Sequence, residues 1–145
     1  MLKRGRSTIT NGTWLELSVN EADPGDTLAC HRPRTIPIKA RAIGRNVFGR
    51  VELIRNGEVV AGAGAVATGD HFAVSFEMEH ELKEPEWWAL RIAHPNSGRN
   101  ELNQPLFAHT SPVYIEYQKQ RVFDRPTAQS LIDEMELSTK QIRRH

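Results

Sequence analysis

Trp14-Leu15-Glu16-Leu17-Ser18-Val19-Asn20 is the stretch on which the fold class turns. Leu15, Leu17 and Val19 fall on one parity, and Glu16, Ser18 and Asn20 on the other. Successive side chains of an extended chain point to opposite faces, so a period of two describes a strand with one apolar side. The same alternation aligns Phe72, Val74, Phe76 and Met78 within 72–79, and Val113, Ile115 and Tyr117 within 112–117. Segments 36–43, 51–55, 58–61 and 87–93 read as further strands with less regular patterning. Turn residues stand between them. Asp23-Pro24-Gly25-Asp26 suits a tight reversal, Asn56-Gly57 between 51–55 and 58–60 is the strongest local hairpin signal, and 94–100 is a polar loop. No helical pattern separates the strands. The expectation is all-β: an immunoglobulin-like antiparallel β-sandwich of about seven or eight strands.

The tail reads differently. Ala128, Leu131, Ile132 and Met135 recur at i, i+3, i+4 and i+7, one stripe of an amphipathic helix. Asp124 suits its N-cap and Pro126 its first turn. Lys140, Arg143 and Arg144 suit the negative pole at its end. Three segments are therefore expected: a junction over 1–13, a β-sandwich domain over 14–118, and a C-terminal helical extension over 119–145. That helix packs on the sandwich or docks on a partner.

Composition narrows the function classes. The chain has 145 residues, 19 Lys+Arg against 18 Asp+Glu and a formal net charge of +1, which argues against nucleic acid as a partner. At 39% hydrophobic and 26% charged, it is composed neither as a membrane span nor as a disordered protein. Lys3, Arg4 and Arg6 are followed by polar 7–12, where a signal peptide needs an apolar run. The chain thus reads as cytosolic or as a piece of a larger protein, exported or not, with no membrane partner. Cys30, the only cysteine, excludes an intrachain disulfide and lacks the surroundings of a reactive thiol.

Several motifs invite chemistry. Gly62-Ala63-Gly64-Ala65-Val66-Ala67 matches a dinucleotide-binding fingerprint, but strand-type pattern resumes at Phe72 where a helix should begin. None of the six histidines forms an H-x-H pair, and His80-Glu81-Leu82-Lys83-Glu84 has Glu84 where a zincin's second histidine belongs; only a two-ligand pair such as Asp70 with His71 is conceivable. No metal or cofactor is expected. His109 and Ser111 would share a strand face, as a nucleophile pair needs, but no G-x-S-x-G elbow accompanies them. In Trp87-Trp88-Ala89-Leu90-Arg91-Ile92, one parity must anchor the core. An exposed Trp87 would offer a platform for a glycan or a partner.

Read in order, several segments resemble one family. Leu2-Lys3-Arg4-Gly5-Arg6-Ser7-Thr8-Ile9-Thr10-Asn11-Gly12 is similar to the junction that ends the catalytic domain of CehA/McbA-type metallohydrolases of the PHP superfamily. Val51-Glu52-Leu53-Ile54-Arg55-Asn56-Gly57-Glu58-Val59-Val60 resembles a hairpin that follows it there. Trp88-Ala89-Leu90-Arg91 and Phe107-Ala108-His109-Thr110-Ser111-Pro112-Val113-Tyr114 resemble two later strands, and the segment from Asp124 the terminal helix. The resemblance covers nearly the whole chain and implies the C-terminal, β-rich accessory region. The family's metal ligands belong to an upstream domain, and none carries over to a position here.

The resemblance thus implies a non-catalytic accessory domain, not an enzyme, that stabilises, shields substrate or mediates interaction. Its partner is an upstream metallohydrolase domain or another protein surface. Trp88, Arg91, His109, Thr110 and Ser111 are its motif positions, with Trp87 beside them. The alternatives are a glycan- or surface-binding module using an exposed aromatic such as Trp87, and a small hydrolase using His109 and Ser111.

Overall fold

The computed structural model describes residues 7–92, 98–122 and 133. Eleven strands lie among them: β1 (Thr8–Thr10), β2 (Thr13–Val19), β3 (Thr27–Cys30), β4 (Arg34–Gly44), β5 (Val51–Arg55), β6 (Glu58–Ala63), β7 (Val66–Thr68), β8 (His71–Leu82), β9 (Glu86–Ile92), β10 (Ala108–Thr110) and β11 (Val113–Tyr117). They form two sheets. Sheet B is β2-β4-β8-β7. In sheet A, β9 is central: β5 and then β6 lie on one side, with β10 and β11 on the other, continued by β1 and β3.

Alternation supplies the core. β2 buries Thr13, Leu15, Leu17 and Val19, and β4 buries Ile36, Ile38, Ala40 and Ala42. Across from them, Val51, Leu53, Trp88, Leu90, Ile92, Val113 and Ile115 fill sheet A's inner face. Each fully buried aliphatic side chain contributes about 1.5–3 kcal/mol. Phe72, Val74, Phe76 and Met78 share the inner parity of β8 but are only partly buried.

Turn chemistry sets the registers. Asn56 (φ +51°) and Gly57 (φ +89°) form the two-residue turn between Arg55 and Glu58. Positive φ at both centres matches the right-handed twist of the flanking strands. Asn20-Glu21 and Gln118-Lys119 make the same reversal, all four with positive φ. Beyond that hairpin, Leu53 pairs with Ala61 but Ile54 with Val59, so Val60 is an unpaired bulge residue on the edge strand. Gly62 is required: a Cβ there would lie 2.7 Å from the Val51 carbonyl oxygen and 2.8 Å from Arg50 Nε. The glycines of 62–67 therefore end one strand and lead to another.

Three expectations change. Eleven strands replace seven or eight, because β1, β3, β7 and β10 have only three or four residues, too few for a period of two to register. The sandwich is not wholly antiparallel, since β3 runs parallel to β11 from Thr27↔Tyr114 to Cys30↔Tyr117. Thr8–Thr10, assigned to the junction, is a strand of sheet A paired with β10. The tail helix with Ala128, Leu131, Ile132 and Met135 lies outside the described residues, as does 94–97 of the polar loop.

Candidate functional site

β9 divides the sequence candidates by parity. Glu86, Trp88, Leu90 and Ile92 point inward, while Trp87, Ala89 and Arg91 point outward. Trp88 is 0% exposed, and its indole N–H donates to Glu86 Oε2 at 3.0 Å. Thr110 is buried too, its Oγ1 accepting the Leu90 N–H at 3.0 Å. Ser111 donates its N–H to the Ser7 carbonyl, and the two hydroxyls lie 2.8 Å apart. Thr110 and Ser111 therefore tie β10 to β9 and to Ser7, which precedes β1.

Glu86 is the charged side chain buried most completely among the described residues. Its Oε1 accepts from Arg55 Nε at 3.0 Å and lies 2.8 Å from His80 Nε2. When Glu86 is ionised its oxygens only accept, and the hydrogen of that contact is then supplied by His80 Nε2. Arg55 reaches on to Glu84 at 2.6 Å, and the His80 ring meets Trp88 edge-on at 4.9 Å. A buried charge needs such partners. With both its oxygens engaged, Glu86 braces β5, β8 and β9. Sequence reading missed this cluster, yet parity held the signal: His80 follows Phe76 and Met78 on β8, and Glu86 precedes Trp88 and Leu90.

Trp87, Arg91 and His109 share sheet A's outer face, Arg91 beside His109 and Trp87 four residues back along β9. Tyr114 pairs with Trp87, and Glu52, Arg91, His109 and Ile9 form one row across four strands. Arg91 Nε and Nη2 both lie 2.9 Å from Glu52 Oε2. The centre of the face is covered: Ile54 is 7% exposed and Trp87 is half-buried, its N–H held by Asn56 Oδ1. Trp87 is thus no open platform. The exposed apolar side chains are at the rim, where Ile9 and Phe107 are each 50% exposed beside His109, and Tyr114 47%. Asn11 fixes Phe107, its Oδ1 accepting the Phe107 N–H at 2.8 Å. Among the described residues no carboxylate hydrogen-bonds His109, and the Ser111 hydroxyl meets Ser7 instead.

Asp70 and His71 stand apart, at the turn that joins β7 to β8 in sheet B. His71 Nδ1 lies 3.1 Å from Asp70 Oδ1, and that hydrogen bond lowers the Asp70 pKa below its ordinary value. Among the described residues no three His, Cys, Asp or Glu side chains gather as a metal site, and no helix is long and apolar enough to cross a membrane.

Compared with known proteins, the chain matches no family model, no curated protein and no solved structure.

Proposed function

We propose that this chain is a non-catalytic, immunoglobulin-like accessory domain that docks on the catalytic domain of a CehA/McbA-type metallohydrolase through the rim of sheet A. The strand order supports the immunoglobulin-like reading. Sheet B in the order β2-β4-β8-β7 corresponds to strands A-B-E-D, and β3-β11-β9-β5-β6 to A′-G-F-C-C′, with a parallel pair where β3 meets β11. The partner rests on the resemblance of the motifs.

The observation that carries the docking reading is the rim patch itself. Ile9, paired with His109 from β1, and Phe107, two residues before His109, expose apolar surface, with the paired Arg91 and Glu52 on the far side of His109 in the row. Aromatic and arginine side chains on an apolar patch are what protein interfaces favour. Ile9 belongs to β1, so a domain joined ahead of Ser7 would be tethered beside the patch, at high effective concentration.

The test adds a purified CehA/McbA-type catalytic domain to this chain and measures binding by calorimetry. The expected result is saturable binding, weakened at least tenfold by Ile9→Glu and by Phe107→Glu. No binding, or binding indifferent to both substitutions, overturns the docking reading. Metal-dependent ester hydrolysis by this chain alone, abolished by His109→Ala, overturns the non-catalytic one.

A further inference from the structure

We propose that β2 receives an extended basic peptide from another protein, which adds antiparallel to the free edge of sheet B and sets a cationic side chain opposite Glu16. The proposal goes beyond the docking reading, because it concerns the other sheet.

β2 ends sheet B, with β4 on one side and, among the described residues, no strand on the other. At seven residues it is the longest of the edge strands β1, β2, β3, β6 and β7. Edges are ordinarily blunted by shortness, a bulge, proline or lysine. β1, β3 and β7 have three or four residues, and β6 carries the Val60 bulge. β2 has none of these devices, and Glu16 is its only charged residue.

Local hydrogen bonds show which backbone groups face that edge. Along an antiparallel strand, successive residues turn their N–H and C=O to opposite sides. The Asn20 N–H donates to the Pro37 carbonyl at 2.8 Å, so Trp14, Glu16 and Ser18, on the same parity, face β4. The other parity faces away. Thr13 is satisfied there by Thr10 Oγ1, which accepts its N–H at 2.9 Å and donates to its carbonyl at 2.6 Å. Val19 exchanges two backbone bonds with Ala22. Between these capped ends, Leu15 and Leu17 turn two N–H and two C=O groups to the edge, and among the described residues nothing bonds them. Leu15 is 2% and Leu17 3% exposed, so water reaches those groups poorly. Buried backbone polar groups are almost always paired. The two leucines thus form a slot that one added strand completes.

Charge chooses the occupant. The slot opens on a depression of about 260 Å³ along residues 14–17, whose charged lining residues are Glu16 and Asp23, with no cation. Glu16 takes the Trp14 indole N–H at 3.1 Å and lies 3.6 Å from Arg41 Nη1 on the β4 side. A carboxylate has about four acceptor sites, so a second cation has room on the edge side. A strand paired with Leu15 and Leu17 sets its intervening residue opposite Glu16 on the outer face, where lysine or arginine gains a cross-strand ion pair. The outward residue beside it meets Trp14, which is 56% exposed and whose ring face attracts another cation. A second copy of this chain is the wrong occupant. The two-fold register that sets Leu15 against Leu17 puts the two Glu16 side chains directly opposite, a like-charge pair.

The probe is an acetylated, amidated heptapeptide of alternating valine and arginine, titrated into the whole chain by calorimetry and followed by amide hydrogen exchange. Saturable binding is expected, with exchange at Leu15 and Leu17 slowed at least tenfold. N-methylation of the valines, which face the leucines, abolishes binding; N-methylation of the arginines does not. Glu16→Lys weakens binding at least tenfold and Trp14→Ala several-fold, while the exposed Lys83→Ala leaves it unchanged. No binding, equal binding of a valine–glutamate peptide, or indifference to valine N-methylation overturns the proposal. So does a dimer in sedimentation that excludes the peptide, which gives the edge to a second copy. Binding that appears only after Lys3, Arg4 and Arg6 are replaced by alanine also overturns it, giving the edge to this chain's own basic segment. The docking residues Ile9 and Phe107 belong to the rim of sheet A, so the two readings fail separately.

Discussion

The two sheets share one core but turn unlike faces outward. Along sheet B, opposite charges or polar groups sit in register: Glu16↔Arg41↔Ser75 and Ser18↔Lys39↔Glu77. Such a face is at home in water, and cross-strand pairs of opposite charge add a few tenths of a kcal/mol each. Sheet A's outward ion pairs, Arg91 with Glu52 and Arg121 with Glu116, lie away from its covered centre at Ile54, and exposed apolar side chains stand at its rim. Alternation sorts side chains into inner and outer without distinguishing these outer faces. Composition of the outward parity does.

Three substitutions break or sharpen the comparison, in falling order of effect. Trp88→Ala removes sheet A's largest fully buried side chain and the indole partner of Glu86; a loss of about 4 kcal/mol in urea unfolding is expected. No comparable loss can come from sheet B's outer face. The next test sets one arginine against another. Arg55→Ala leaves Glu86 buried with His80 and the Trp88 indole alone, costing about 3 kcal/mol. Arg41→Ala breaks an ion pair whose partners are 55% and 50% exposed, and costs less than about 1 kcal/mol. Equal losses would erase the distinction between a sheet braced by a buried charge and one decorated by surface pairs.

The smallest effect is electrostatic. The His71 hydrogen bond lowers the Asp70 pKa below the ordinary 3.8. A depressed carboxylate favours the folded state above its unfolded pKa, and that contribution disappears as pH falls through the lowered folded value. A carbon-13 titration of Asp70 should have its midpoint below 3.8, and His71→Ala should move it up to the ordinary range.

Much of the sandwich was legible, and the illegible parts have physical causes. Leu15, Leu17 and Val19 marked β2, and Asn56-Gly57 marked the β5–β6 hairpin, because burial and positive φ each demand particular residues. Asn20-Glu21 and Gln118-Lys119 adopt the same turn without glycine and were not flagged; each is closed by a reciprocal pair of backbone hydrogen bonds, Val19 with Ala22 and Tyr117 with Gln120, that offsets the local cost of left-handed backbone. Pro37, which looks wrong inside the central strand β4, sits just past the last β2 pair, Val19↔Ile38, where only its carbonyl is used, by Asn20. Of the candidate site, Trp87, Arg91 and His109 were named from sequence. Ile9, Phe107 and Trp14 were not, though parity places Trp14 with Glu16 and Ser18 on the outward side.

Sequence alone determined which parity of each longer strand is apolar, and hence that pleated sheets must stack, because a half-oily strand has no other way to leave water. Only tertiary structure decided that Arg55, His80, Glu86 and Trp88 converge, that β3 joins β11 in parallel, and that Trp14 rather than Trp87 is the open ring. Those facts depend on register between distant segments, and one residue of slip would exchange every inward side chain for an outward one.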